Sequence, residues 1–299
     1  MPLPSAILRR HWPAIAGAAA LTVGAAVAAL ADTGGPRSVV SVGGAVTEIV
    51  YALGEESRLK AVDTTSYYPA QAAGLPKVGY YRALSAEGLL STEPDLVLLQ
   101  DGSGPPDALA VLKASGIPIA DVPDETSPEG IAAKISRVGE ALGAQDRADA
   151  LAADVTARFR ALATDVGRIT ERKRVLFVLS LANGRATVGG AGTSADAMIR
   201  LAGGINAAAD VDGFKPIVDE AVLAAAPDVV LVMERPGARI SADEVFGLPA
   251  FQGTPAAADR ALVSLDALYL LGFGPRTPAA ARDLAAALYP GAVAAAATP

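Results

Sequence analysis

Glu87-Gly88-Leu89-Leu90-Ser91-Thr92-Glu93-Pro94-Asp95-Leu96-Val97-Leu98-Leu99 runs from a helix through a Pro-Asp turn into a buried strand. Glu220-Ala221-Val222-Leu223-Ala224-Ala225-Ala226-Pro227-Asp228-Val229-Val230-Leu231-Val232 runs in the same order. In both, a glutamate stands seven residues before Pro-Asp and four aliphatic residues follow. Any α/β chain can repeat helix, proline and strand by chance, but the shared glutamate register favours an internal duplication. A weaker second match sets Glu48-Ile49-Val50-Tyr51-Ala52-Leu53 against Asp196-Ala197-Met198-Ile199-Arg200-Leu201, each after a glycine-containing turn.

Outward from these copies, strands alternate with helices. Ser38-Val39-Val40-Ser41-Val42 is a β-branched run closed by Gly43-Gly44, and residues 46–53 follow with helical spacing. Ile117-Pro118-Ile119-Ala120-Asp121-Val122 is a further strand. From Gln145 to about Val166 the chain carries alanine, leucine and charge without glycine or proline, the pattern of one long helix. The strand code restarts at Arg174-Val175-Leu176-Phe177-Val178-Leu179. The expected fold is α/β: two Rossmann-like lobes with parallel sheets, joined by a single long helix, with a ligand cleft between them. The expected boundaries are an N-terminal lobe over 32–142, a connecting helix over 143–172, a C-terminal lobe over 173–290 and a disordered tail over 291–299.

Residues 1–31 read differently. Arg9, Arg10 and His11 form a basic region, an Ala/Gly/Val/Leu run follows to Leu30, and Ala29-Leu30-Ala31 is a small-x-small exit. That order marks a secretory signal peptide cleaved near Ala31, with the product in the periplasm and no stable membrane insertion after cleavage. An uncleaved anchor is the alternative, though the run is only weakly apolar. The chain has no cysteine, so it carries neither a disulfide nor a cysteine-linked lipid. Cleavage removes two basic residues and no acidic one, which takes the formal charge from −7 to 23 − 32 = −9. Nothing in that balance favours nucleic acid.

The single histidine, His11, leaves with the leader, so a metal or metallated ligand would find neither thiolate nor imidazole. Tyrosine, carboxylate and the few methionines remain. Four of the seven tyrosines (Tyr67, Tyr68, Tyr80, Tyr81) fall within fifteen residues. Tyr80 can be a half-exposed loop aromatic or a ligand. Arg82 stands two residues on, on the same side if the loop is extended, with Tyr81 facing away. Met198 and Met233 sit in apolar runs that read as core, and no Ser/His or Cys/His pair exists for catalysis. Residues 187–192 form a glycine-rich stretch without phosphate-loop spacing, expected as a flexible cleft wall.

The two lobes, the linking helix and the paired Glu-to-Pro-Asp elements resemble the substrate-binding proteins of metal-chelate importers of the ABC type. The segment Gly79-Tyr80-Tyr81-Arg82-Ala83-Leu84-Ser85-Ala86-Glu87-Gly88 is similar to the haemin-binding members. Residues 62–69, 192–199 and 271–277 also match, and the likeness spans 38–290. The resemblance implies that haem is the transported ligand, with Tyr80 its iron ligand, Arg82 beside it, and a monomer delivering to ABC permease transmembrane subunits. It further implies that Glu87 and Glu220 dock the permease. Ser66, Tyr67, Gly189 and Gly190 are expected to line the cleft. Some relatives carry a histidine on the second lobe, which is missing here, so iron would be held by Tyr80 alone or with water. The alternatives are a ferric siderophore or cobalamin in the same fold, and an exported α/β enzyme.

Overall fold

The computed structural model describes residues 35–182 and 184–296, and the expected leader over 1–31 lies outside them. The N-terminal lobe contains β1 (Val39–Val42), β2 (Leu59–Val62), β3 (Gly79–Tyr80), β4 (Ala83–Leu84), β5 (Leu96–Gln100) and β6 (Ile119–Val122). Its sheet has the order β2-β1-β5-β6, and every pairing is parallel. Helices cover both faces, so β1 and β5 are buried at every residue, as their unbroken apolar runs require. The pair β3 and β4 forms a separate antiparallel hairpin.

The C-terminal lobe contains β7 (Arg174–Ala182), β8 (Arg185–Gly189), β9 (Ile205–Asn206), β10 (Phe214–Ile217), β11 (Val229–Glu234) and β12 (Leu262–Asp266). The order is β10-β8-β7-β11-β12, with β9 also on β7. The strands β7, β11 and β12 are parallel, but β8 and β10 run antiparallel, so this sheet is mixed at one side. Only two residues separate β7 from β8 in the sequence, a spacing that an antiparallel neighbour can meet and a parallel one could not.

Helix Gln145–Val166 links the lobes over the span its composition announces. It buries Ala148, Val155, Phe159, Leu162 and Val166, a stripe at three-, four- and seven-residue spacing. Gly143, at φ 68, ends the preceding helix Pro128–Leu142 in the left-handed conformation and turns the chain into it. One apolar core runs through both lobes, with Val39, Ile49 and Leu98 joined to Phe159, Phe177 and Leu284. In the tail, residues 291–296 are mostly exposed, with two attachments to the C-terminal lobe. Val293 is buried in that core, and the Ala296 amide donates to Asp283 at 2.7 Å.

A polar seam also ties the lobes together. Glu48, buried in helix Gly44–Ala52, receives the backbone N–H of Arg276 at 3.1 Å and its guanidinium at 3.0 Å. That guanidinium lies 3.3 Å from the Tyr68 ring centre and 5.1 Å from that of Tyr269. Lys134, fully buried, bridges Asp124 at 2.6 Å and the Phe273 carbonyl at 3.0 Å. Such ties oppose wide hinge bending of one lobe against the other.

Candidate ligand cleft

A cavity of about 760 Å³ opens between the lobes, within the usual range for a small-molecule site. Its walls are built largely at the carboxyl ends of parallel strands. Thr64 and Thr65 follow β2, Gln100 closes β5 and Asp124 follows β6, while Arg235 follows β11 and Ala267 follows β12. Ligands in open α/β sheets bind beyond such ends, where side chains from successive crossovers converge.

The β3–β4 hairpin puts the tyrosines into this cavity. Tyr81 and Arg82 occupy its two-residue turn, between the paired Tyr80 and Ala83. Gly79 precedes it at φ 102, a conformation closed to most side chains, and an added Cβ would lie 3.1 Å from the Ala83 carbonyl. The Thr64 amide donates to Gly79 at 2.9 Å, and the Gly104 amide donates to Tyr81 at 2.9 Å. The hairpin is thus fixed to the ends of β2 and β5. Tyr80 is 42% exposed, the largest opening of any aromatic side chain among the described residues.

The turn overturns one expectation. Side chains two apart share a side only while the chain is extended, and here it reverses at 81–82. Tyr81 therefore lines the cavity too, with its ring edge-on to Tyr80 at 4.8 Å between centres. Arg82 lies over the Tyr81 ring at 4.9 Å, so it backs Tyr81 directly. Half-burial, with the neighbouring Tyr80 phenol adding to it, pushes the Tyr81 phenol up to about 12 against the pull of Arg82.

Tyr67 reaches the cavity and spans the lobes. Its hydroxyl donates to Asp266 at 3.1 Å and accepts the Leu268 amide at 2.8 Å. Burial pushes this phenol up to about 12, partly offset by the Leu268 amide and reinforced by Asp266. Ser66 does not line the cavity. It is fully buried and bonded to Asp63 and Thr47 at 2.7 Å each. Asp63 organises this turn, accepting also from the Gly43 amide at 3.1 Å and the Thr65 hydroxyl at 2.7 Å.

Gly189 and Gly190 are likewise not among the residues that line the cavity. Gly189 ends β8, and the Gly190 amide bonds the Gly213 carbonyl at 2.9 Å. A Cβ on Gly190 would lie 1.8 Å from the Val211 carbonyl, so this glycine serves close backbone packing. The cavity is met further along by Ser194, the first residue of helix Ser194–Leu201, which Thr193 caps. Met198 is core; Met233 is nearly buried and still contributes to the wall. Arg235, Asp124 and Gln100 carried no local motif, but their positions at or just beyond strand ends were a usable signal. Arg82 and Arg235 face the cavity from opposite lobes, and among the described residues neither has a carboxylate partner. Asp124 is already neutralised by Lys134 and bonded by Gln100 at 2.8 Å.

Glu87 and Glu220 are both exposed in the first turn of short helices, Ala86–Leu90 and Asp219–Ala225. Among the described residues neither forms an ion pair. No group of three His, Cys, Asp or Glu among the described residues is arranged to hold a metal ion.

Two α/β lobes, one linking helix and a cleft at the strand ends define a two-lobed ligand-binding protein. The chain belongs to the periplasmic binding protein family, which matches residues 39–269. It is a substrate-binding component of the ABC importer type, and members of this kind bind and carry ligands without turnover. The periplasmic heme-binding protein BhuT, solved with two hemes, is 43% identical with a TM-score of 0.79, over 84% of this chain and 99% of that one. The periplasmic heme-binding protein RhuT from Roseiflexus sp. RS-1, in apo form, is 42% identical with a TM-score of 0.82, over 86% and 100%. An uncharacterized ABC transporter substrate-binding lipoprotein, YvrC of Bacillus subtilis, is 27% identical over 85% of this chain and 81% of its own. A vitamin B12-binding protein of Vibrio cholerae serotype O1 is 28% identical over 66% and 70%. Among the described residues no helix is long and apolar enough to cross a membrane.

Proposed function

We propose that this protein captures ferric haem in the interlobe cleft through a Tyr80 phenolate and delivers it to an ABC permease. One observation carries the reading: Tyr80 is presented, open, into a cavity of ligand size in a chain with no cysteine and no histidine beyond residue 11. A phenolate is a hard oxygen anion, suited to Fe(III) as an axial haem ligand. Binding to the metal replaces the phenol proton, and the cation supplies most of the free energy for that exchange. The porphyrin faces would pack on apolar wall groups such as Met233, Leu268 and Leu271, while Arg82 and Arg235 complement the propionates. The similarity to two heme-binding proteins above 40% identity supports haem over cobalamin.

The leader is cleaved near Ala31, and the mature monomer works in the periplasm. Glu87 and Glu220, one on each lobe, meet basic groups of the permease. Exposed ion pairs add little affinity each but set orientation and on-rate. The test is a haemin titration of residues 32–299 followed in the Soret region, beside Tyr80→Phe. Saturable binding with a ferric tyrosinate spectrum is expected, and the mutant should lose that spectrum and bind at least a hundredfold more weakly, as loss of a metal ligand implies. Unchanged binding by the mutant would discard the anchor. No saturable binding would discard haem, and cobalamin would be titrated next.

A further inference from the structure

We infer that the two docking helices differ in their surroundings: the C-terminal lobe holds the permease by an aliphatic collar, Val218 and Leu223, around Glu220, and the helix of Glu87 has no such collar. The occupant is a permease transmembrane subunit, at a surface where a basic side chain stands in an apolar rim. This rests on the reading of Glu87 and Glu220 as permease contacts. The carboxylates themselves hold equivalent positions, and the inequality lies in what flanks them.

The Pro-Asp register aligns the helices residue by residue, Val218 with Ser85, Leu223 with Leu90 and Ala224 with Ser91. Ser85 caps its helix, its hydroxyl accepting the Gly88 amide at 3.0 Å. Val218 takes the same place with no side-chain bond to the helix. Valine is among the poorest residues there, and a serine would satisfy an amide that valine leaves open. Val218 is also 53% exposed, the largest opening of any large apolar side chain among the described residues. A residue that neither caps nor buries itself breaks two local rules at one point, and such breaks are expected at functional contacts. Leu223, one turn beyond Glu220 on the same face, is 42% exposed, with Ala224 exposed beside it. In the other lobe Leu90 is half-buried and Ser91 is polar.

Topology puts the collar at the cleft end of its lobe. The strand β10 runs antiparallel to β8, and β8 to β7, so β10 points the same way as β7 and delivers Val218 at the carboxyl end. No lysine or arginine occurs from 216 to 234, so Glu220 has no basic neighbour along the chain and suits one supplied by a partner. Apolar groups that exclude water govern how long a complex lasts, whereas a rim charge governs how fast it forms.

The experiment measures association and release rates of the mature, haemin-loaded protein on the importer reconstituted in nanodiscs. Val218→Ser with Leu223→Gln should release roughly tenfold faster, the scale of two half-open aliphatic side chains buried at an interface. Its association rate, salt dependence and haem affinity should be unchanged, whereas Glu220→Ala should slow association. Val218→Ser alone should hold or raise the urea midpoint, because it supplies the missing cap. A lowered midpoint would make Val218 a packing residue and overturn the inference. Ile205→Ser is the control, as exposed as Leu223 but paired with Arg174 at the amino end of β7, and it should release at the wild-type rate. Equal acceleration there would deny the collar any specific role. Unchanged release in the collar variant, with association slowed by Glu220→Ala, would remove the collar and leave the docking reading standing. If neither variant differs from wild type, the docking reading falls and the collar with it. A dimer of the free protein that dissolves in the collar variant would assign this surface to a second copy and overturn the inference.

Discussion

The two lobes start their central strands alike and finish them differently. In the N-terminal lobe the Asp95 carboxylate takes the backbone N–H groups of Arg37 at 2.8 Å and Ser38 at 3.0 Å, just before β1. In the C-terminal lobe Asp228 takes that of Arg174 at 2.8 Å, where β7 begins. The returning amides also match, Asp95 to the Ser38 carbonyl and Asp228 to the Arg174 carbonyl, both at 2.8 Å. Beyond the strands' carboxyl ends the likeness stops. One lobe carries a tyrosine-bearing hairpin, and the other carries an antiparallel strand pair and a turn holding Arg235. The two lobes share the ends that set strand register and differ at the ends that face the ligand.

The largest expected effect probes whether the shared part includes docking. Uptake of haem by cells or reconstituted importer should be abolished by Glu87→Ala with Glu220→Ala, while haem binding is unchanged. Each single change should cost a similar share, since the two carboxylates hold equivalent helix positions. Grossly unequal singles would break the symmetry between lobes, and lost haem binding would remove the docking role.

The seam comes next. Glu48→Ala leaves Arg276 without its counter-ion and should destabilise the protein by about 3–5 kcal/mol in urea unfolding. Among the described residues its counterpart Asp196 has side-chain partners only within its own lobe, the Gly192 amide, Asn206 and Arg200. Asp196→Ala should cost less, about 1–3 kcal/mol, because Asn206 keeps its bond to the Gly189 carbonyl. Burial raises the Glu48 carboxyl above the usual range despite Arg276. The folded state then holds that proton more tightly than the unfolded state, so stability falls as pH rises through the raised value. Glu48→Gln should flatten that slope.

A smaller effect at the same seam appears in alkali. Tyr67 ionises near 10 when unfolded and near 12 when folded, so its contribution is complete below pH 10 and disappears between about 10 and 12. Tyr67→Phe should lessen the loss of stability across that window in pH-dependent urea melts. A slope remains, because Tyr269 is also raised by burial and its bond to Asp283. An unaltered slope would mean that Tyr67 does not bind the lobes together.

What the sequence allowed a reader to see follows the range of the forces involved. Aliphatic runs, helix composition and Pro-Asp turns are local, so β1, β5, β11 and helix Gln145–Val166 were legible. The errors arose where distant backbone decides. Gly190 is a glycine because of the Val211 carbonyl, and Ser66 turns inward because Asp63 collects the hydroxyls of its own turn. Tyr81 was set on the wrong side because an alternation rule was carried across a two-residue turn. Arg235 and Asp124 had no pattern of their own and reach the cleft only through topology.

The finest comparison lies immediately before each Pro-Asp. Glu93 and Ala226 both have positive φ, 49° and 41°, and each precedes the proline of its motif. Left-handed backbone costs a residue with a Cβ roughly 1–2 kcal/mol, and glycine escapes that cost. Glycine also gains about 0.5–1 kcal/mol of conformational freedom in the unfolded chain, which offsets part of the relief. Glu93→Gly and Ala226→Gly should therefore each stabilise by about 0.5–1 kcal/mol, seen as matching upward shifts of the urea midpoint. Glu93 is exposed and Ala226, half-buried, carries a single methyl, so side-chain losses are small at both. Effects of opposite sign would mean that the two turns are held by different forces and that their shared shape is a coincidence. Equal shifts would mark them as one turn inherited twice.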